Sequence, residues 1–367
     1  MGQKILMLCN HFVPLYNFRK EFIERLLHDG YDVYVSLPPA PENARLAAMG
    51  CTLVEAPPID RRGTNILKDL KLWRFYRQTM KNLRPDLVLS YTVKPNIYGS
   101  LASRPLKIPQ ICNITGLGDA FIEESLVRLF LIALFKISVK KSALVFFQNA
   151  GNRDYFLKRG MVGGNYRMLP GSGVCLQAHP FTTMPQGETV NFLSAARIMK
   201  SKGIDQYLQS AKALREKYPR AVFYVAGFIE EEKYLPILEE YQQQGLIRYV
   251  GFQENIAEYI ELCHCTVLTT YAFGEGMPNI VLEAAAQGRA CIASRLAATV
   301  EAVEDGVTGF LFNAGVAEDL QEKIAMFMEL SYDSKAKMGL AARQKMEREF
   351  DREFVIKKYY EVMEELL

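Results

Sequence analysis

Short apolar runs alternate along this chain with stretches whose apolar positions recur at helical spacing. Residues 4–9 (KILMLC) read as a buried strand and 10–17 as a loop. An amphipathic helix over 18–28 is ended by Gly30, before the next strand at 31–37. Further strands are predicted at 52–56, 87–90, 108–114 and 143–148, with helices at 66–83, 97–102 and 126–141. An irregular stretch, 171–187, contains Gly171, Gly173, Pro180 and Pro185 and reads as a linker. The alternation then resumes with strands at 191–195, 221–226, 247–250, 266–270, 290–293 and 309–312. Helices at 204–217, 235–244, 256–262 and 300–305 lie between them, together with one that opens at Pro278. A Lys- and Glu-rich helical segment follows from Ala317, and 350–367 has the apolar spacing of a helix that packs on something. Strands alternating with helices predict parallel sheets covered on both faces. The expected fold class is α/β, with two Rossmann-like, doubly wound domains facing across a cleft. The expected boundaries are 1–175, 176–345 and a C-terminal helix, 346–367, packing back on the first domain. A cleft of that kind is the usual place for a ligand.

The junction at 274–288, GEGMPNIVLEAAAQG, gathers the most chemistry. Pro278 is tolerated in a first helical turn, and the apolar run from Ile280 and its alanines read as a buried helix that Gly288 stops. A strand, a glycine-containing loop and a helix start aim several backbone N–H groups at one spot, which suits an anion. Glu275 on the loop and Glu283 on the helix flank that spot, with seven residues between them. A phosphate site with a carboxylate on each side fits a nucleotide sugar, whose hydroxyls need acceptors while its phosphates need donors. On spacing alone, an ordinary strand-to-helix turn with two solvated glutamates fits equally well.

Composition narrows the classes. The chain has 367 residues, 49% hydrophobic and 23% charged, which are ordinary globular values. The seven cysteines, at 9, 51, 112, 175, 263, 265 and 291, are scattered and read as reduced, buried thiols. Cys263-His264-Cys265 is too tight for a zinc site and lacks a second ligand pair. The apolar run at the N-terminus is too short for a signal peptide, and no stretch offers the ~18 apolar residues of a membrane span. The net charge of +3 hides an asymmetry. Residues 1–175 carry 24 Lys and Arg against 13 Asp and Glu, or +11, which leaves −8 for the remainder. A basic first half points to an anionic partner; no basic-aromatic nucleic-acid motif is present, and an anionic membrane surface or a phosphate-bearing acceptor fits at least as well as nucleic acid. The segment 126–141 (LVRLFLIALFKISVKK) is apolar on most faces, which fits packed core more often than a membrane-surface helix.

RIMKSKG at 197–203, Gly251 after a strand, GEGMPNIVLE at 274–283 and EAVEDGVTGFL at 301–311 together resemble the family 4 retaining glycosyltransferases of the GT-B fold. YNFR at 16–19, DRRGTN at 60–65, PDLVLSYTVKPNIYG at 85–99, NITGLGDAF at 113–121 and PGSGV at 170–174 resemble the branch that assembles bacterial polysaccharides and lipid-linked glycans. The resemblance implies a nucleoside-diphosphate-sugar donor on the C-terminal domain, UDP-sugar favoured, and an acceptor on the N-terminal one. It also implies hexosyl transfer with retention, no metal and no cofactor.

Carried over by position, Arg197 and Lys202 neutralise the diphosphate leaving group, and Glu275 accepts hydrogen bonds from the donor sugar. Glu283 holds ribose hydroxyls. Gly276, Met277, Pro278, Asn279 and Ile280 receive sugar and phosphate oxygens, and the loop at Gly251 and Phe252 receives the base. Asn17, Arg19, Tyr91, Lys94, Asn96, Thr115 and Gly116 are the acceptor-side candidates.

Three departures stand out. Tyr91 occupies a position where the family often has His. Arg295-Leu296-Ala297-Ala298 replaces the common Asp-Ile-Pro-Gly, and the 271–274 loop is longer than usual. The expected protein is a cytoplasmic glycosyltransferase, peripheral on the inner face of a bacterial membrane. It would move one sugar onto a glycan or polyprenol-diphosphate-linked acceptor in capsule or O-antigen-type assembly. A GT-B-fold sugar-nucleotide epimerase or hydrolase and an inactive nucleotide-sugar-binding partner subunit are the alternatives.

Overall fold

The computed structural model describes residues 2–60, 65–118, 121 and 125–367. Arg61 and Arg62 of the DRRGTN stretch, and Asp119 and Ala120 of NITGLGDAF, lie outside the described residues. The chain divides into two compact units. The first comprises Met1–Ser172, Gly274–Met277 and Glu353–Leu367; the second comprises Gly173–Phe273 and Pro278–Arg352. The division therefore falls at 172/173 and 352/353, and it places four residues of the 274–288 junction in the first unit.

Among the described residues the first unit holds seven strands: β1 (Lys4–Leu8), β2 (Asp32–Leu37), β3 (Thr52–Glu55), β4 (Leu87–Tyr91), β5 (Gln110–Ile114), β6 (Leu144–Phe147) and β7 (Tyr166–Met168). They pair in parallel in the order β3-β2-β1-β4-β5-β6-β7. The second unit repeats the plan with β8 (Val190–Ala195), β9 (Ala221–Ala226), β10 (Arg248–Tyr249), β11 (Cys265–Leu268), β12 (Ala290–Ser294) and β13 (Gly309–Phe312). Its order is β10-β9-β8-β11-β12-β13. Strand order reverses at β1/β4 and at β8/β11, and in open parallel sheets the loops leaving such a point build the ligand crevice.

The first core packs β1, β2 and β4 against the helix Val13–His28 and against the C-terminal helix. Val355, Ile356, Tyr359, Val362 and Met363 of that helix are buried with Ile5, Phe22, Val35 and Leu89. Phe22 stacks on Tyr359 at 4.5 Å between ring centroids.

Two elements differ from expectation. The first helix begins at Val13, inside the segment read as a loop, because Pro14 needs no N–H in an opening turn and Leu15 is already core. The helix Leu126–Ile137 ends before a 3₁₀ turn at Val139–Lys141. It is not packed core: Phe135 is its buried residue, while Leu126, Leu129, Phe130 and Ile137 are half or more exposed. Among the described residues, no helix is long and apolar enough to cross a membrane.

Candidate functional site

In the second unit, the loops that leave β8 and β11 are stitched together where the strand order reverses. The chain leaves β8 through Arg197, turns at Lys200–Lys202 and enters the helix Ile204–Leu214. Gly203 makes the turn with φ +75°, and a Cβ there would lie 2.1 Å from the Thr269 carbonyl oxygen, so only glycine fits. The hydroxyl of Thr269 donates to the Lys202 carbonyl (2.8 Å), and that of Thr270 and the Tyr271 N–H donate to the Ser201 carbonyl (3.3 Å each). Arg197 Nη1 meets Glu230 Oε1 at 3.4 Å, with both side chains about a quarter exposed. A guanidinium carries five donors, so this partner leaves room for a phosphate. Two of the predicted cationic residues are thus held on one short segment.

The helix Asn279–Ala286 follows β11, with Pro278 at its N-cap. The Asn279 side-chain oxygen is buried without a hydrogen-bond partner. Such an orphan acceptor costs about 1–3 kcal/mol, which a ligand N–H or O–H would recover. One turn further on, Glu283 is partly buried, and desolvation pushes its carboxyl up to about 7 against the opposing pull of Arg352. Arg352 itself is nearly buried and donates to the Gly173 carbonyl (3.2 Å), in the PGSGV stretch.

An aromatic pair lies at the ends of β9 and β10. Phe228 and Phe252 are 44% and 67% exposed, edge to face at 6.5 Å, and the Gly227 N–H donates to the Gly251 carbonyl (2.8 Å). Phe252 is among the residues expected from the sequence, and Phe228 is not. The signal was there, since a Gly-Phe pair follows two strands that prove to be neighbours.

The altered loop at Arg295–Ala298 is closed by a different device. The hydroxyl of Thr299 accepts from the Leu296 N–H (2.9 Å) and donates to the Ser294 carbonyl (2.5 Å), while Ser294 donates to the Thr270 carbonyl. A Ser/Thr turn replaces the Pro-Gly turn. Cys263, His264 and Cys265 are buried: His264 Nδ1 accepts from the Asn191 N–H (3.1 Å), burial pushes the imidazole down to about 4, and the Cys263 thiol rises to about 12. Protonated thiols and an imidazole nitrogen already engaged are poor metal ligands.

In the first unit, the short segment Gly274–Met277 is clamped by its neighbours. The Leu117 N–H donates to the Gly274 carbonyl (2.8 Å), and the side-chain amides of Asn149 and Asn152 both donate to the Glu275 carbonyl (3.1 and 3.2 Å). A Cβ on Gly276 would sit 1.9 Å from the Thr115 carbonyl oxygen. Thr115 and Gly116 are thus brought to Glu275. Asn149 and Asn152, both nearly buried, are positioning residues that the sequence reading did not single out.

Of the other acceptor-side candidates, Arg19, Tyr91 and Asn96 lie in the core at 2%, 0% and 1% exposure, so they support the site rather than line it. Arg19 sits over the Tyr91 ring (5.3 Å) and donates to the Phe18 carbonyl (2.7 Å). Asn96 accepts from Ser90 (2.7 Å) and donates to the Asn113 carbonyl (2.8 Å). The sequence offered a warning for Arg19, which is spaced with Leu15, Phe22 and Leu26 along the buried stripe of its helix. Lys94 pairs with Asp69 at 2.6 Å, and Asn17 is exposed.

Residues 179–345 match the family described as glycosyl transferases group 1, and residues 4–149 match that described as glycosyl transferase 4-like. The chain is 26% identical to N,N'-diacetylbacillosaminyl-diphospho-undecaprenol alpha-1,3-N-acetylgalactosaminyltransferase of Campylobacter jejuni, over 99% of each chain. It is 27% identical to the amylovoran biosynthesis glycosyltransferase AmsK of Erwinia amylovora, over 49% of this chain and 46% of that one. Anabaena Alr3699/HepE, solved in complex with UDP-glucose, superposes with a TM-score of 0.81 at 17% identity, covering 99% of this chain and 100% of that one. At that identity the likeness is one of fold.

Proposed function

Because the chain belongs to the family 4 glycosyltransferases of the GT-B fold, we propose that it transfers a hexose-type sugar from a UDP-sugar, with retention, to a polyprenol-diphosphate-linked glycan acceptor. The observation that carries this reading is the placement of Arg197 and Lys202 on one segment at the β8/β11 reversal, fixed by the hydroxyls after β11. The donor class is supported by the UDP-glucose complex of Alr3699/HepE. The acceptor class is supported by the diphospho-undecaprenol in the name of the Campylobacter relative.

In this reading Arg197, Lys202 and the first amides of the helix Asn279–Ala286 hold the diphosphate. As the glycosidic bond breaks, negative charge grows on the leaving oxygen and these groups stabilise it more than they stabilise the ground state. They supply the positive charge that a metal would, so no metal is required. The oxygen, still held beside the sugar, takes the proton of the incoming hydroxyl as that hydroxyl attacks from the same face. Glu275 accepts from the sugar hydroxyls, Glu283 from the ribose, and Phe228 with Phe252 receives the base. The +11 balance of residues 1–175 draws the first unit to the inner face of an anionic membrane, where such an acceptor resides.

A panel of nucleotide sugars with the purified protein tests this. Slow, metal-independent hydrolysis of one UDP-sugar, accelerated by a lipid-linked acceptor with the anomeric configuration kept, is expected. Interconversion of the donor would point instead to an epimerase, and binding without turnover in the presence of lipid extract would point to an inactive subunit.

A further inference from the structure

On the first unit, the helices Ile66–Leu83 and Leu126–Ile137 border a groove of about 360 Å3. Ile66, Leu70 and Trp73 line it from the first helix, Phe130 and Leu134 from the second, and Tyr98 and Leu101 from the helix Val93–Ser103. The volume falls within the ~300–1,000 Å3 of ordinary small-molecule sites. Asp69 also lines it, but this carboxylate is met by Lys94 at 2.6 Å and by the Tyr98 hydroxyl at 2.9 Å. The groove therefore offers apolar walls and one neutralised polar end, and that end lies at the helix that follows β4.

Its surroundings are unusual for a solvated surface. Leu126 is 84% exposed, Leu67 78% and Ile66 71%. An isolated exposed leucine needs no explanation, but a run of them bordering an apolar groove does. The same two helices expose Lys71, Arg74 and Lys136, and the Arg77 guanidinium sits 5.7 Å over the Trp73 ring. Apolar walls with cations on the same elements are complementary to an anionic amphiphile rather than to a neutral apolar molecule.

Resting on the transferase reading above, we propose that this groove holds a segment of the isoprenoid chain of the polyprenol-diphosphate acceptor. The bound chain would deliver its diphosphate toward the end of β4. Acceptor choice would then depend on hydrocarbon shape as well as on the sugar.

Trp73 is the single tryptophan of the protein, so its emission reports the groove directly. The full chain is titrated with geranylgeranyl diphosphate, with inorganic pyrophosphate, with hexadecyl phosphate and with isoprenoid-free phosphatidylglycerol vesicles. A saturable blue shift with geranylgeranyl diphosphate is expected, absent with pyrophosphate and at least tenfold weaker in apparent affinity with hexadecyl phosphate. Leu70→Gln and Phe130→Ser replace partly exposed side chains. Each should weaken isoprenoid binding at least tenfold while the circular dichroism spectrum stays native. An unchanged Trp73 emission, or variants that bind as the wild type does, would overturn the proposal. An equal response to hexadecyl phosphate or to the vesicles would also overturn it, in favour of a general bilayer contact.

Transfer assays with the wild type keep the two readings apart by offering the same diphospho-sugar on a long isoprenoid and on a short alkyl chain. A KM at least tenfold lower for the isoprenoid is expected. Equal KM values sink the groove and leave the transferase standing. Transfer to neither acceptor sinks the transferase reading, and the fluorescence titration still judges the groove.

Discussion

Glu283 is where a single residue makes a pH prediction. Burial pushes its carboxyl up to about 7 from an ordinary 4.5. In the folded protein it keeps a proton that the unfolded chain releases above its own lower value. Its contribution to stability is therefore complete below about pH 4.5 and is lost as pH rises through about 7, a swing on the order of 3 kcal/mol. Ribose hydroxyls donate to the ionised form, so nucleotide binding and protonation oppose each other. UDP affinity measured by calorimetry should rise between about pH 6 and about pH 8, with uptake of that proton by the buffer. Glu283→Gln should flatten the pH dependence, weaken UDP by ~1.5–3 kcal/mol at the upper end, and unfold at a higher temperature than wild type there. A variant that binds UDP as tightly as wild type removes Glu283 from the ribose. Spacing in the sequence singled this residue out, but neither its burial nor the opposing charge of Arg352, which is distant in sequence.

At the scale of elements, the segment Gly274–Met277 is fixed by contacts that sequence patterns do not encode. The glycines were legible as a flexible loop; their actual constraint is close approach, with the Thr115 carbonyl oxygen 1.9 Å from where a Gly276 side chain would begin. Gly276→Ala must displace the backbone that carries Glu275, and turnover with the sugar donor should fall by about two orders of magnitude, as for a ~1 Å misplacement of a reacting group. Asn149→Ala or Asn152→Ala removes one of two hydrogen bonds to the Glu275 carbonyl, so each alone should cost less, and the double variant more than their sum. Free UDP binding should change little in all of these, which separates a displaced Glu275 from general unfolding. Normal turnover in Gly276→Ala would show that the loop has no fixed conformation. The helices show the same limit of legibility. Periodicity located Leu126–Ile137 but could not orient it, because apolar residues occupy most of its faces and only the packing partners decide which face is covered. Likewise Arg19, Tyr91 and Asn96 occur in stretches that resemble family motifs, and a motif does not distinguish a polar side chain that lines a site from one that braces it from the core.

At the scale of the whole molecule, the parallel sheets follow from the alternation of strands and helices, whereas completion of the first core depends on the far end of the chain. Val355, Ile356, Tyr359, Val362 and Met363 are buried among residues of β1, β2 and the helix Val13–His28. Tyr359 also donates through its hydroxyl to Asn113 at the end of β5, and Arg167 pairs with Glu365 at 2.7 Å. The surface pair adds little, but five buried side chains at about 1.5–3 kcal/mol each contribute on the order of 10 kcal/mol. That equals the entire net stability of a typical domain, about 5–15 kcal/mol. A chain ending at residue 352 should therefore lose cooperative folding of its first unit, even though β1–β7 are all retained. Tyr359→Phe, which keeps the ring stacked on Phe22 and removes only the hydroxyl, should cost about 1–3 kcal/mol through the unpaired Asn113. Thermal unfolding followed by circular dichroism, with protease resistance of residues 1–172 as the second readout, measures both. If the truncated chain unfolds at the wild-type temperature, the helix is an accessory and the first core closes without it.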